Sequence, residues 1–344
     1  VFSMSKIPKH ILVIRLSAMG DVAMTVPVLQ ALTQHYPDLK LTVLTRPFFA
    51  PFFRDLKNVE VFAIDLNKQH KGVFGLYKLS KQLKALQIDA VADLHNVLRT
   101  KILKLFFFGK KFKQIDKGRR EKKALVNGQN FHPLKSTHQR YADVFKALGF
   151  KFSIDNPSFP SKKTLPEAIL NKVNNQNTKQ WIGIAPFAQY TSKMYPLDQM
   201  QEVIHILKKS YIIFLFGGKA DQAKLDSLAA NSDAVINVAG QYNLNQELDL
   251  ISNLDVMLSM DSGNAHLAAM LGVKVITIWG VTHPYAGFAA FNQPKSYNIT
   301  PDKMLYPKLP TSIYGNKYPE DYKNVAGSIQ PKQITEKVTA VLNA

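Results

Sequence analysis

The sequence predicts an α/β chain of two doubly wound, Rossmann-like domains facing each other across a cleft. Three observations predict it. Two strand–turn–helix segments of the same kind, residues 10–22 and 255–266, lie about 240 residues apart. Short β-rich runs alternate with helical patterns, and the alternation restarts at residue 181. Between the two halves, residues 155–179 shift to Pro, Ser, Asn, Lys and Gln. Such alternation argues for parallel sheets wrapped by helices.

The elements follow in order. Residues 11–15, 41–45, 59–65 and 89–94 are apolar, strand-length runs. Residues 22–35 and 73–86 carry apolar side chains three and four apart, which lines one face of a helix. A third helix is predicted over 140–148, and a short one near 166–173. The second half repeats the scheme, with strands over 181–186, 211–216, 235–238, 255–259 and 273–279. Its helices are predicted over 197–208, 219–230, 244–252 and 264–271. Residues 284–330, rich in Pro, Tyr, Asn and Gly, read as mostly loop. The domain plan is 1–160, a linker over 161–179, a second domain over 180–330 and a C-terminal helix over 331–344.

At 344 residues, 46% of them apolar, the chain is long enough for two domains with real cores. It has no cysteine, so it has no disulfide and no thiolate metal site. No apolar run reaches the length of a membrane span, and no signal-peptide core precedes the first strand. A cytoplasmic location is therefore expected. The net charge is +19, from 44 Lys and Arg against 25 Asp and Glu. That surplus points to an anionic partner: nucleic acid, an anionic membrane surface or a phosphorylated substrate. Many of the cations fall between Lys101 and Lys123, where a plain solvated face explains them equally well.

Four segments are placed for chemistry. Asp21 follows Gly20 at the end of the first strand, where open α/β sheets bind ligands. It is a candidate base, or simply a helix cap. Asp261, Ser262, Gly263, Asn264 and His266 open a helix whose free amides and dipole favour phosphate. Plain capping is the competing reading there. Thr191, Ser192 and Lys193 follow the first strand of the second half, and Lys193 can neutralise a diphosphate as a point charge. Gly217 and Gly218 follow the next strand and allow close approach of a ribose or base. Several motifs are missing. There is no Gly-x-Gly-x-x-Gly, Walker A, Asp-x-Asp, Gly-x-Ser-x-Gly or histidine–carboxylate metal cluster. Any chemistry must then run on a base, cations and helix dipoles.

At this point the chain resembles a known family, the lipopolysaccharide heptosyltransferases of GT-B fold, which transfer heptose from ADP-heptose. The resemblance rests on residues 14–22, Asp93-Leu-His-Asn96 with Arg99, and Lys193-Met-Tyr-Pro196. It extends through Phe216-Gly-Gly218, Ala239-Gly240 with Leu244, and residues 261–269. It implies an inverting, metal-independent transfer from a nucleotide-diphosphate sugar to an anionic, lipid-linked saccharide of the lipopolysaccharide inner core. The first domain would bind the acceptor and the second the donor, with closure of the cleft bringing Asp21, the general base, to the donor carbon. Donor binding would fall to Thr191, Ser192, Lys193, Gly217, Gly218, Lys219, Gly240, Asp261, Ser262, Gly263, Asn264 and His266. Acceptor binding would fall to Met19, Gly20, His95, Asn96, Arg99, Lys101, Arg119 and Arg120. No cofactor or metal is implied. Two positions depart from the family pattern. Lys219 stands where an acidic residue would meet the donor ribose, with Asp221 two residues on, and Tyr195 stands where tryptophan is frequent.

A glycosyltransferase with another nucleotide sugar or acceptor, or a nucleotide-sugar-binding protein without turnover, is the alternative. Nucleic acid is disfavoured, because no helix-turn-helix, zinc-finger or RRM signature occurs. Residues 98–113 interleave Arg99, Lys101, Lys104, Lys110, Lys111 and Lys113 with Leu103, Leu105 and Phe106 to Phe108. This suits peripheral, transient contact with the inner face of the inner membrane. A helix buried through its phenylalanines is the competing reading.

Overall fold

The structure, a computed structural model, describes residues 7–173, 179–230 and 232–344. The first six residues, where a signal-peptide core is not expected, lie outside the described residues, as do residues 174–178 of the expected linker. The chain divides into two compact units, Val1–Lys117 with Thr137–Ser158, and Gly118–Ser136 with Phe159–Ala344.

The first unit holds a five-stranded parallel sheet in the order β3-β2-β1-β4-β5. Its strands are β1 (His10–Ile14), β2 (Lys40–Thr45), β3 (Val59–Ala63), β4 (Ala90–Asp93) and β5 (Lys111–Gln114). The central strands are apolar because both faces are covered. Leu12, Ile14, Leu44 and Val91 pack with Leu76, Leu79, Leu83 and Leu103 from the helices. Where the periodicity predicts one helix over 22–35, the structure has two, α1 (Met19–Ala23) and α2 (Thr25–His35), separated at Met24. α3 (Gly72–Ala85) and α4 (Leu98–Phe106) follow, the latter within residues 98–113, for which a helix is the competing reading of the sequence. β5, with sequence Lys-Phe-Lys-Gln, is not predicted as a strand. It is an edge strand, and lysines on an edge discourage further pairing at the cost of apolar signal.

The next helix, α5 (Arg119–Val126), groups with the second unit, although the domain plan places it in the first. The reason is local. Leu134 N donates to the Tyr285 carbonyl at 2.9 Å. The Phe131 ring lies 5.0 Å from that of His283 and 4.9 Å from that of Tyr285. The Lys122 ammonium sits 4.0 Å from the Phe288 ring centre. The chain returns to the first unit with α6 (Thr137–Lys146).

The second unit holds a six-stranded parallel sheet in the order β11-β10-β9-β6-β7-β8. Its strands are β6 (Trp181–Ala185), β7 (Ile212–Leu215), β8 (Val235–Asn237), β9 (Val256–Met260), β10 (Lys274–Ile278) and the two-residue β11 (Asn298–Ile299). The helices are α7 (Glu167–Leu170), α8 (Leu197–Leu207), α9 (Gln222–Ala229), α10 (Leu244–Ser252), α11 (Gly263–Met270) and α12 (Pro331–Leu342). Asn243 starts α10 with a capping box: its side chain accepts from Gln246 N, and the Gln246 side chain accepts from Asn243 N, both at 3.1 Å. Ile182, Ile184, Ile213, Leu258 and Ile276 pack against Met200, Val203 and Ile334. Among the described residues no helix is long and apolar enough to cross a membrane.

Candidate active site

Open parallel sheets bind ligands beyond the carboxyl ends of their strands. The candidate residues gather there, in each unit separately. In the first unit Ile14 of β1 lies in register with Asp93 of β4, so Arg15 and Leu94 leave the sheet together. Arg15 is buried. Its Nη1 donates to the Leu94 carbonyl at 2.7 Å, and its Nη2 lies 2.6 Å from Asp21 Oδ2. One buried guanidinium therefore ties the start of α1 to the end of β4. Asp21 is not the N-cap of the helix, the competing reading of its place in the sequence. Ala18 is the N-cap, and Asp21, the third residue of α1, accepts from the Ala18 amide through Oδ2 at 3.2 Å. Its side chain is 28% exposed, and these contacts leave Oδ1 as the edge for another partner. Tyr141 on α6 donates its hydroxyl to the Asp21 carbonyl at 3.2 Å, and its ring centre lies 5.9 Å from the Arg15 guanidinium.

The turn after β4 is held by Asp93. Its Oδ1 accepts from the His95 and Asn96 amides, each at 2.9 Å, and its Oδ2 accepts from the Gln114 side chain at 2.8 Å. Asn96 adopts a left-handed backbone, φ 46°, and donates its side-chain amide to the Ile115 carbonyl. His95 is buried. Burial first, then the charges of Arg15 and Lys117, hold its imidazole down to about 3. At neutral pH it can offer a hydrogen bond to a hydroxyl but no charge to a phosphate. Met19 and Gly20 lie in α1 beside Asp21, and Arg99 and Lys101 are exposed on α4. Arg119 and Arg120 are exposed at the start of α5, among the residues of the second unit.

In the second unit β10, β9 and β6 are neighbours, so the loops after them share one edge. Lys193 ends the turn after β6, and its Nζ lies 2.8 Å from Asp261 Oδ2 after β9. Thr282, after β10, donates to that same oxygen at 2.8 Å. The lysine and aspartate side chains are only 13% and 8% exposed. Ser192 donates its hydroxyl to the Gly315 carbonyl, and its own carbonyl accepts from Val281 N at 3.1 Å. Two glycines make room for this turn. A Cβ on Gly280 would lie 2.1 Å from the Ser192 carbonyl oxygen, and one on Gly315 would lie 2.5 Å from Lys193 Cδ.

The remaining donor candidates lie along the same sheet edge. Ser262 is the N-cap of α11, its Oγ 3.1 Å from Ser259 Oγ. Gly263 and Asn264 form the first turn of α11, and His266 is buried one turn in. Gly217 and Gly218 follow β7. Gly218 N donates to Asp221 Oδ2 at 2.9 Å, so that carboxylate is turned back onto the glycines. Lys219 is exposed, and Gly240, at φ +69°, packs against its backbone. Thr191 opens the Lys193 turn. Among the described residues no group of three or more His, Asp or Glu side chains is placed to hold a metal ion.

Sequence reasoning missed Arg15, Tyr141, Thr282 and Glu247. Arg15 carried a signal, a lone cation ending an apolar strand. Glu247, in the first turn of α10, looks like an ordinary dipole-favoured acid. Burial instead pushes its carboxyl up to about 7. A carboxyl raised in the folded state contributes stability that is full below its unfolded value and is lost as pH rises through the folded one. Glu247→Gln should therefore match the parent near pH 4.5 and melt higher than it above neutrality. Thermal unfolding across that window checks this, and an equal gap at both ends would refute it.

Comparison with known proteins agrees with this architecture. The profile of glycosyltransferase family 9 (heptosyltransferase) matches residues 76–298. Lipooligosaccharide heptosyltransferase 2 of Haemophilus ducreyi is 30% identical over 357 residues, covering 96% of this chain and 99% of that protein. A family 9 glycosyl transferase from Veillonella parvula superposes with a TM-score of 0.76 at 18% identity, over 97% of each chain. The E. coli ADP-heptose LPS heptosyltransferase II superposes with a TM-score of 0.69 at 20% identity, over 97% of this chain and 98% of that one. The two-sheet arrangement is thus the GT-B fold. With nearly full coverage by a 30% identical relative and a family match over most of its length, this chain belongs to glycosyltransferase family 9 and is a glycosyl-transferring enzyme.

Proposed function

We propose that the enzyme transfers a heptose from a nucleotide-diphosphate donor, ADP-heptose, to the inner core of a lipid-linked saccharide by a single inverting displacement without a metal ion. The observation that carries this reading is Asp21, held by a buried arginine through Oδ2 while Oδ1 stays available. An acceptor hydroxyl is a poor nucleophile at neutral pH. Asp21 Oδ1 takes its proton as the oxygen bonds to the anomeric carbon, and the bond from that carbon to the diphosphate breaks on the opposite side. One displacement inverts the configuration. The leaving diphosphate gains negative charge, which the Lys193 ammonium and the α11 amides stabilise where a metal would otherwise act. The sequence relatives support the heptose and the lipid-linked acceptor, since one of them is a lipooligosaccharide heptosyltransferase. His95, neutral and buried beside Asp21, suits an acceptor hydroxyl. The acceptor's phosphates are left to exposed cations such as Arg99 and Lys101.

The test is to supply purified lipid-linked core saccharide with ADP-heptose, and in parallel with UDP- and GDP-hexoses, and to follow the lipid by mass spectrometry. Addition of one heptose from the ADP donor alone is expected, with an inverted anomeric linkage by NMR. Transfer from another nucleotide sugar in preference, or retention of configuration, would overturn the donor or the mechanism respectively.

A further inference from the structure

The first unit carries a surface that the transfer reaction does not use. α3 and α4 pack together, burying Leu76, Leu79, Leu83 and Leu103. Their outer faces mix lysines with bare apolar side chains. Phe74 is 91% exposed, Phe108 96%, Leu98 75% and Leu105 74%. Phe74, Tyr77, Lys78 and Lys81 are three and four apart on α3, so they share one face. Leu98, Lys101 and Leu105 recur at the same spacing on α4, and Phe108 continues the stripe past its end. The Tyr77 ring, half-exposed, lies 5.6 Å from that of Phe106 and bridges the two helices. Single exposed apolar residues are ordinary, but a cluster containing two almost bare phenylalanines marks an interaction surface.

The charge says what the partner is. From residue 72 to residue 114 the chain has nine Lys and Arg, all exposed, and two acids. Of the two acids only Asp89 interacts with a cation of the patch, Lys110. Asp93 is fully buried, and the Asp89 carboxylate accepts from the Lys9 and His10 amides. The lysine stems can lie along the apolar surface and keep their ammonium groups in water. Bare aromatic and aliphatic side chains in a ring of cations, with one exposed acid among them, fit the boundary between acyl chains and anionic headgroups. A nucleic acid would use the cations but leave Leu98 and Leu105 without a partner.

We infer that the outer face of α3 and α4, continued through Phe108 to Lys113, docks the enzyme on an anionic phospholipid bilayer. Phe74, Leu105 and Phe108 enter the interface, while Lys78, Lys81, Lys104, Lys110 and Lys111 meet the headgroups. The inference extends the function proposed above, because a lipid-linked acceptor lies at such a surface. Its test involves no sugar transfer, so either can fail alone.

The full-length protein is co-sedimented with phosphatidylcholine vesicles, with or without phosphatidylglycerol. Binding is expected only with the anionic lipid and should weaken as salt is raised. A lysine near an anionic surface contributes on the order of fivefold, so Lys104→Gln, Lys110→Gln and Lys111→Gln together should weaken binding by about a hundredfold. Phe74→Ser with Phe108→Ser removes the inserted groups and should lower binding by at least about tenfold at any salt. Both phenylalanines are too exposed to support the fold, and unchanged ADP affinity would confirm folded protein. Equal binding to both vesicle types, insensitivity to either set of substitutions, or tighter retention of single-stranded poly(U) than of anionic vesicles would overturn the assignment.

Discussion

Asp21→Asn should lower turnover by roughly two to four orders of magnitude, the usual size of a general-base contribution, and leave nucleotide affinity unchanged. The amide keeps the shape of the carboxylate and an oxygen to accept from the Ala18 amide, but it cannot take a proton. The substitution also has a structural cost. Arg15 is buried and would lose its charge partner, keeping its bond to the Leu94 carbonyl and its contact with the Tyr141 ring. Breaking a fully buried ion pair costs about 3–5 kcal/mol. Asp21 is 28% exposed, so water screens part of that loss and a smaller destabilisation follows. Folded protein must therefore be measured alongside rate. A base and a mere counter-ion for Arg15 differ in pH behaviour. If Asp21 is the base, the acid limb of the kcat/KM profile disappears from the residual activity of the variant. Turnover that stays near normal, or that falls only in proportion to unfolded protein, would remove Asp21 from the chemistry.

Most of the fold was readable because its strands are continuous apolar runs buried on both faces, as in residues 11–14 and 256–260. What the sequence hid has a physical cause in each case. β5 is a lysine-bearing edge strand, and edge strands trade apolar pattern for protection. α5 leaves its neighbours in sequence because Leu134, Phe131 and Lys122 find partners on the 283–288 loop. The site divides the same way. Asp21, Lys193 and Asp261 stand at strand ends, where the α/β logic directs attention. Arg15 and Thr282 matter through pairings that only strand order and register create. Arg15 reaches Leu94 because β1 and β4 are adjacent, and Thr282 reaches Asp261 because β10 and β9 are. Periodicity along one chain carries no record of either adjacency.

Lys193→Ala should cost the enzyme its nucleotide, and the cluster around it shows how to separate binding from stability. The ammonium lies 2.8 Å from Asp261 Oδ2, with both side chains largely shielded from water. Losing a close, desolvated charge contact costs about 2–5 kcal/mol of affinity, which is roughly thirtyfold to several thousandfold in Kd. The same substitution leaves Asp261 with Thr282 as its remaining side-chain donor, an under-compensated buried carboxylate, so the melting temperature should fall as well. Adding Asp261→Asn removes that carboxylate charge. The double variant should recover stability but not nucleotide affinity, because the cation that meets the diphosphate is still missing. Gly315→Ala supplies an independent arm. Its Cβ would lie 2.5 Å from Lys193 Cδ, at a backbone φ of +90°, so it displaces the lysine without removing its charge. Calorimetry with ADP should then show weakened binding in all three proteins, with the stability loss of Lys193→Ala relieved in the double variant. Restoration of affinity together with stability in the double variant would make Lys193 a structural partner of Asp261 and leave the α11 amides as the diphosphate site.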